Sequence, residues 1–243
     1  MASPRFPIGP TSAGVVGLAL ANIAIFVVYR LMPAMVADLA LSPEVEVLVD
    51  HPWQPLTYMF FHISLLHITV NILVLIVFGS VLARHVGDRN VIMIYLLGGL
   101  CGAMLYTAAF GSILGRDNIL MGSSASVLSV ICAAAVISPG SRVQFYPHGP
   151  GVSISFFAGV FLLLVLAGLG GNNAGGALAH IGGAMAGTIL GFILKMRQQQ
   201  ISAQAGDWIE LELLQRRISI SGFSSLSESE KRRFFHLSCK TRK

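Results

Sequence analysis

Long apolar runs, interrupted by short polar connections, organise this chain from end to end. Six of them approach the roughly 20 residues a helix needs to cross a bilayer. They lie near 13–32, 66–84, 90–111, 119–138, 153–171 and 175–195. A longer connection, residues 31–65, separates the first two and carries Asp38, Glu44, Glu46 and Asp50 with no Lys or Arg. The connections "ARHVGDR" and "SPGSRVQFYPHG", and everything after Lys195, hold most of the cations. By the positive-inside rule these face the cytoplasm and the acidic connection faces outward, so both termini are expected to be cytoplasmic. Arg116, in "LGRDN", falls outside as an exception. The pattern predicts an all-α polytopic membrane protein. A short N-terminal segment (1–12) precedes a six-helix membrane domain (13–195), and a cytoplasmic tail (196–243) follows.

Composition agrees: of 243 residues, 54% are hydrophobic and 11% charged, against about 25% charged in soluble domains. The placement of charge adds something new. From Lys195 onward there are ten Lys/Arg and five Asp/Glu, while residues 1–194 hold six of each. The net +5 therefore resides entirely in the tail, which suits anionic lipid or a protein partner better than nucleic acid. Within the tail, "DWIELELLQRR" reads as a short amphipathic helix. "LSESEKRRFFHL" carries a helix cap at Ser227/Glu230. Cys101, Cys132 and Cys239 show neither metal spacing nor a disulfide framework. The opening "MASPRFPIGPTS" lacks an apolar h-region, so the first span is expected to be a signal anchor and not a cleaved leader.

The topology concentrates polar residues. Spans two, four and six run the same way, and their N-terminal ends share one depth near the outer face. Span two opens with His67 and Asn71, span four with Gly122, Ser123, Ser124 and Ser126, span six with Asn172, Asn173 and His180. Polar groups in a bilayer are costly and face a bundle interior or a water-filled cavity. Their convergence predicts one hydrated site between these helices. A serine hydroxyl needs a base to take its proton, and His67 and His180 are the candidates. His180 lies on a helix where Gly183, Gly187 and Gly191 recur every fourth residue, a stripe that admits a close partner helix. His67 and Asn71, four apart on one face, offer donors for a developing oxyanion. The helix start at Ser124 adds backbone N–H groups and the positive end of its dipole.

Taken singly, each feature has a plainer reading. Serines in membrane helices are packing residues or bond back to the preceding turn. A His/Asn pair can be an interhelix hydrogen bond. Metal binding by His67 and His180 lacks an acidic or thiolate companion in the spans, and neither a metal nor an organic cofactor is expected.

Four stretches in order, "PWQPLTYMFFHISLLHITVNILVLIVFG", "YLLGGLCGAM", "MGSSASV" and "AHIGGAMAGTILG", resemble the rhomboid family of intramembrane serine proteases. The resemblance covers residues 53–192. It implies a Ser/His dyad of Ser124 (in Gly122-Ser123-Ser124) and His180 (in Ala179 to Gly183). His67, Asn71 and backbone groups at Gly122 and Ser123 would hold the oxyanion. His62 matches an upstream family histidine of structural role. The implied substrates are transmembrane proteins cut near the outer membrane face, entering laterally past helix five and its loop. Two departures stand out: Ala125 occupies the position after the nucleophile where the family usually has Gly, and Ala83 stands where a loop Glu is common. Two alternatives compete with a protease, a catalytically silent rhomboid-like protein that binds membrane clients and a small transporter or channel. The compact six-span form suggests a prokaryotic plasma membrane.

Overall fold

The computed structural model describes residues 5–7, 11–109, 119–144, 151–168 and 174–240. The chain divides into two compact units, Met1–Ile193 and Leu194–Lys243.

The first unit is helical, and local signals set its elements. Helix α1 (Ala13–Leu31) starts where the Ser12 hydroxyl accepts the Val15 N–H, satisfying one of the orphan donors of a first turn. Short helices α2 (Val36–Leu39), α3 (Val45–Asp50) and α4 (Gln54–Thr57) occupy the acidic connection. Helix α5 (Leu65–Val86) is capped by Ser64 and ends at Gly87, whose φ of +78° suits glycine. Helix α6 (Asp88–Ala109) follows at once. The Asp88 carboxylate accepts the Gly14 N–H at 2.8 Å, joining the first turns of α1 and α6. Helices α7 (Ser124–Ile137), α8 (Ile154–Gly168) and α9 (Ala174–Ser221) complete the series. A small sheet, β1 (Arg5–Pro7), β2 (Arg142–Gln144) and β3 (Val152–Ser153), pairs β1 with β2 in parallel and β2 with β3 antiparallel. The all-α expectation did not include it.

Helix α7 is the centre of the bundle. Every residue from Ala125 to Ala134 is buried, and α5, α6 and α8 pack around it. The outside of the unit is Leu20, Val27, Leu31, Leu73, Leu163 and similar exposed side chains, whereas Asn22, Gln54, His62, Asn71, Ser126 and Ser129 lie inside. An apolar surface over a core that also takes in these polar side chains suits a hydrocarbon solvent.

Among the described residues four helices, α1, α5, α6 and α9, are long and apolar enough to cross a membrane; α7 and α8 are apolar but shorter. The expected fourth span, 119–138, is corrected at its start. Leu120 exchanges two backbone hydrogen bonds with Leu41, at 2.9 and 3.0 Å, the chain then turns at Gly122 and Ser123, and the helix begins only at Ser124. The acidic connection that supplies Leu41 is itself tightly folded. Tyr58 donates to the Gly99 carbonyl at 2.7 Å, Thr57 to that of Leu39 at 2.7 Å, and the Gln54 side chain accepts the Ser42 N–H at 2.9 Å. The sixth span was expected to end near 195; α9 continues to Ser221 because no breaker intervenes before Gly222 (φ +76°).

The second unit has its own core of Leu211, Leu214, Leu226 and Leu237, with Ile218 and Phe234 against it. Helix α10 (Glu228–Lys240) opens with a capping box: the Ser227 hydroxyl accepts the Glu230 N–H while the Glu230 carboxylate accepts the Ser227 N–H at 2.8 Å. Ion pairs link α10 to the end of α9: Arg217 to Glu230, Arg233 to Asp207 and Glu210, and Lys240 to Asp207. Trp208, Ile209 and Leu213 face outward.

Candidate active site

Close helix contact positions this site, and small residues permit it. Along α7, Ala125, Ser129 and Ala133 recur every fourth residue, and along α9 so do Gly183, Gly187 and Gly191. The two stripes meet in register. A Cβ on Gly183 would overlap the Ala125 carbonyl, one on Gly187 would overlap that of Ser129, and one on Gly191 would stand 3.0 Å from the Ala133 Cα. One turn before Gly183 on the same helix is His180, which the seam brings onto the first residue of α7. His180 Nε2 and Ser124 Oγ lie 2.6 Å apart. That is hydrogen-bond contact between a hydroxyl and an imidazole, the pairing that acid–base activation of a serine requires.

The local backbone explains why Ser124, among its neighbouring serines, is the one that meets His180. Gly122 has φ +130°, in the left-handed region, and a Cβ there would sit 2.7 Å from the His67 ring. Both facts demand glycine. The turn it makes buries Ser123 and leaves Ser124 half-exposed as the chain enters α7. Ser126 is buried against Met59, and the Ser129 hydroxyl bonds the Ile94 carbonyl at 2.9 Å, so both serve packing.

A cavity of about 240 Å³ opens over Ser124 and His180, with His67 and Asn71 on its wall and Val127 and Phe161 among its apolar lining. Asn71 Nδ2 donates one hydrogen to the His67 carbonyl at 2.9 Å, the (i, i+4) bond along α5, leaving its second N–H for a ligand. Among the described residues no acidic side chain lines the cavity. The expected backbone donors are rearranged. The Gly122 N–H goes to the Tyr58 carbonyl at 3.1 Å, and the Ser123 N–H goes to His62 Nε2 at 3.4 Å. The amides of Ser124, Ala125 and Ser126 precede the first intrahelical bond, from the Val127 N–H to the Ser123 carbonyl, and meet no backbone or side-chain acceptor among the described residues. His62 therefore touches the nucleophile turn itself, a role its place upstream of α5 did not reveal. Asn172, Asn173 and Arg116 lie outside the described residues, as does part of the loop after helix five.

Ala125, the departure beside the nucleophile, has a specific partner. A Cβ on Gly102 of α6 would stand 2.9 Å from the Ala125 Cβ. Glycine at 102 thus leaves room for the methyl at 125.

Comparison with known proteins follows the same residues. Positions 49–197 match the family model for the rhomboid domain. The chain is 27% identical over 150 residues to "RHOMBOID-like protein 6, mitochondrial" of Arabidopsis thaliana, covering 62% of this chain and 46% of that protein. It is 29% identical over 147 residues to "RHOMBOID-like protein 2" of the same plant, covering 60% and 44%. Against "Rhomboid protein 1, mitochondrial" of Saccharomyces cerevisiae it is 27% identical over 167 residues, covering 61% and 45%. The chain thus spans less than half the length of these relatives. The mitochondrial names among them run against the expectation of a prokaryotic plasma membrane. With a matched domain over more than half its length and a multi-pass apolar bundle to carry it, the chain belongs to the rhomboid family.

Proposed function

We propose that this protein is an intramembrane serine endopeptidase that cleaves transmembrane protein substrates through a Ser124/His180 dyad. The observation that carries this reading is the 2.6 Å contact between His180 Nε2 and Ser124 Oγ at the head of a cavity. In the reaction, His180 Nε2 takes the Ser124 proton as Oγ attacks the scissile carbonyl. The carbonyl oxygen becomes an oxyanion, met by the Ser124 N–H, the second amide hydrogen of Asn71 and the His67 ring. Collapse breaks the C–N bond, and His180 returns the proton to the leaving amine. A water, deprotonated by His180, then attacks the acyl-enzyme ester, and Ser124 recovers its proton as the carboxyl product departs. Among the described residues no acid lines the cavity, so the reaction runs as a dyad, with His180 oriented by its packing against α7.

Helix length supports cutting within the bilayer depth. The 14 residues of α7 rise about 21 Å at 1.5 Å each, less than the ~30 Å of hydrocarbon. A central helix that short begins below one membrane boundary, and its buried polar neighbours keep water there. Substrate would arrive laterally, past α8. The outer-face placement of the site follows from the cationic connections on the other side, with both termini cytoplasmic. The same function suits a plasma membrane or a mitochondrial one. In the tail, Asp207, Glu210, Glu228 and Glu230 are all engaged by cations within the unit, so its net positive charge is left to meet anionic lipid or an acidic partner.

The silent client-binding alternative drew on Ala125, whose methyl the glycine at 102 accommodates. The transporter alternative lacks charged side chains along the cavity wall. Reconstitution in vesicles with a transmembrane substrate bearing small residues near its outer boundary tests the proposal. Wild type should cleave, and Ser124→Ala and His180→Ala should not. Cleavage that survives Ser124→Ala removes the nucleophile assignment.

A further inference from the structure

A buried polar chain unused by the chemistry ends on the nucleophile turn. It begins at Asn22, 1% exposed on the otherwise apolar α1. An amide in that setting is costly unless fully hydrogen-bonded. Its Nδ2 donates to the Leu18 carbonyl at 2.7 Å and to the Tyr95 hydroxyl at 3.0 Å. Tyr95, fully buried on α6, also turns its hydroxyl to Asn22 Oδ1 at 3.3 Å and to the Met59 carbonyl at 3.4 Å, with the Ser123 side chain beside it. Ser123 Oγ is 3.1 Å from His62 Nε2. His62, 0% exposed, places Nδ1 3.3 Å from the Phe60 carbonyl.

The proton positions follow from the partners. A carbonyl only accepts, so His62 Nδ1 carries the hydrogen and Nε2 presents its lone pair. Nε2 then accepts from Ser123, from its hydroxyl and from its backbone N–H. With its own hydrogen given to His62, the Ser123 oxygen is left as an acceptor on its Tyr95 side, while Tyr95 accepts from Asn22 Nδ2 and has Asn22 Oδ1 and the Met59 carbonyl as acceptors for its own hydrogen. From Ser123 donation runs to His62 and on to the Phe60 carbonyl, the sense in which successive hydrogen bonds polarise one another.

What the chain holds is specific. The Ser123 N–H belongs to the peptide between Gly122 and Ser123, and the Gly122 N–H, bound by the Tyr58 carbonyl, belongs to the peptide before it. Two successive peptide planes leading into Ser124 are thereby fixed, at the point where Gly122 takes φ +130°. We infer that Asn22, Tyr95, Ser123 and His62 are positioning residues that set the orientation of the Ser124 hydroxyl toward His180 from the opposite side of the turn. The inference rests on the protease reading. It adds that α1, which contributes nothing to the cavity wall, controls the rate of chemistry through Asn22.

The test uses the full-length protein in vesicles and compares wild type, Tyr95→Phe, Ser123→Ala and the double variant. Steady-state cleavage of a transmembrane substrate is read together with the rate of fluorophosphonate labelling and the thermal midpoint. Tyr95→Phe removes one hydroxyl and keeps the ring. It should lower kcat and the labelling rate together by about five- to tenfold while KM stays within about twofold. Ser123→Ala should do the same, and the double variant should be no slower than the worse single one, because one break already severs the chain. Additive losses, a change confined to KM, or a kcat that follows the thermal midpoint alone overturns the inference and leaves the protease reading intact. Should Tyr95→Phe fail to fold, Ser123→Ala and Asn22→Ala carry the same comparison. A wild type that neither cleaves nor labels overturns the protease reading, and the inference with it.

Discussion

Gly183 of α9 lies against the Ala125 carbonyl of α7 so closely that any side chain at 183 would overlap it. The contact sits one residue beyond Ser124 on one helix and one turn beyond His180 on the other. A single methyl at 183 must push the helices apart or rotate them, and His180 moves with its helix. Gly183→Ala should reduce cleavage by about a hundredfold or more, since ångström-scale misplacement costs about that much. Gly159→Ala on α8, where a Cβ meets nothing within 4 Å, is the control and should stay within about twofold of wild type. Cleavage rates of the two variants at equal thermal midpoint decide the matter.

The methyl of Ala125 and the bare Cα of Gly102 form a matched pair. Gly102→Ala would bring two methyl groups to about 2.9 Å and press also on the Ala179 carbonyl. Overpacking of this kind costs about 1–3 kcal/mol. The thermal midpoint should fall with Gly102→Ala and recover in part when Ala125→Gly is added. The recovery should be incomplete because the Ala179 contact remains. Ala125→Gly alone should leave activity within a few fold of wild type.

Asn71 keeps one amide hydrogen for the cavity after serving the His67 carbonyl. If that hydrogen meets the oxyanion, Asn71→Ala should lower kcat by roughly 10²–10³-fold, the usual loss for one such donor, with KM nearly unchanged. A loss expressed mainly in KM would make Asn71 a substrate-binding group instead.

The tail should respond to acid. The hydrogen bond from Lys240, reinforced by Arg233, holds the Asp207 carboxyl below its ordinary range, and the Ser227 N–H and hydroxyl, with Arg217, do the same for Glu230. A carboxylate held low in the folded state contributes stability above its unfolded pKa, about 4. That contribution is lost as pH falls through the lower folded value. Hydrogen-exchange protection of α10 in the full-length protein, taken relative to the intrinsic rate at each pH, should therefore be flat above about pH 5 and fall progressively below about pH 4. Protection that is constant down to pH 2, or that weakens on raising pH from 5 to 8, would contradict this.

Much of the site was legible before the fold was known. The topology gathered the serines, His67 and His180 at one polar end of their helices, the family resemblance singled out Ser124 and His180 among them, and the Gly183, Gly187 and Gly191 spacing announced a close approach. Other features needed three dimensions. The pairing of Leu120 with Leu41 shortens α7, and hydropathy cannot see a backbone bridge between residues 79 positions apart. Ser123 looked like an oxyanion donor because it precedes the nucleophile. Its N–H instead meets His62, whose side chain arrives from a connection with no periodic signal. Asn22 passed unnoticed within an apolar run because one polar residue barely changes a 20-residue average. The length of α9 was missed as well, since the hydropathy that marks a span falls away after Lys195 while the helix runs on past Gly206 to Ser221.

The central claim is that Ser124, activated by His180, is the nucleophile. The most direct measurement is covalent labelling of the vesicle-reconstituted protein with a fluorophosphonate, followed by mapping of the adduct by mass spectrometry. The account predicts one phosphonylated residue, Ser124, with labelling abolished in His180→Ala and preserved in Ser126→Ala. An adduct on Ser123 or Ser126, or a labelling rate indifferent to His180, would contradict it.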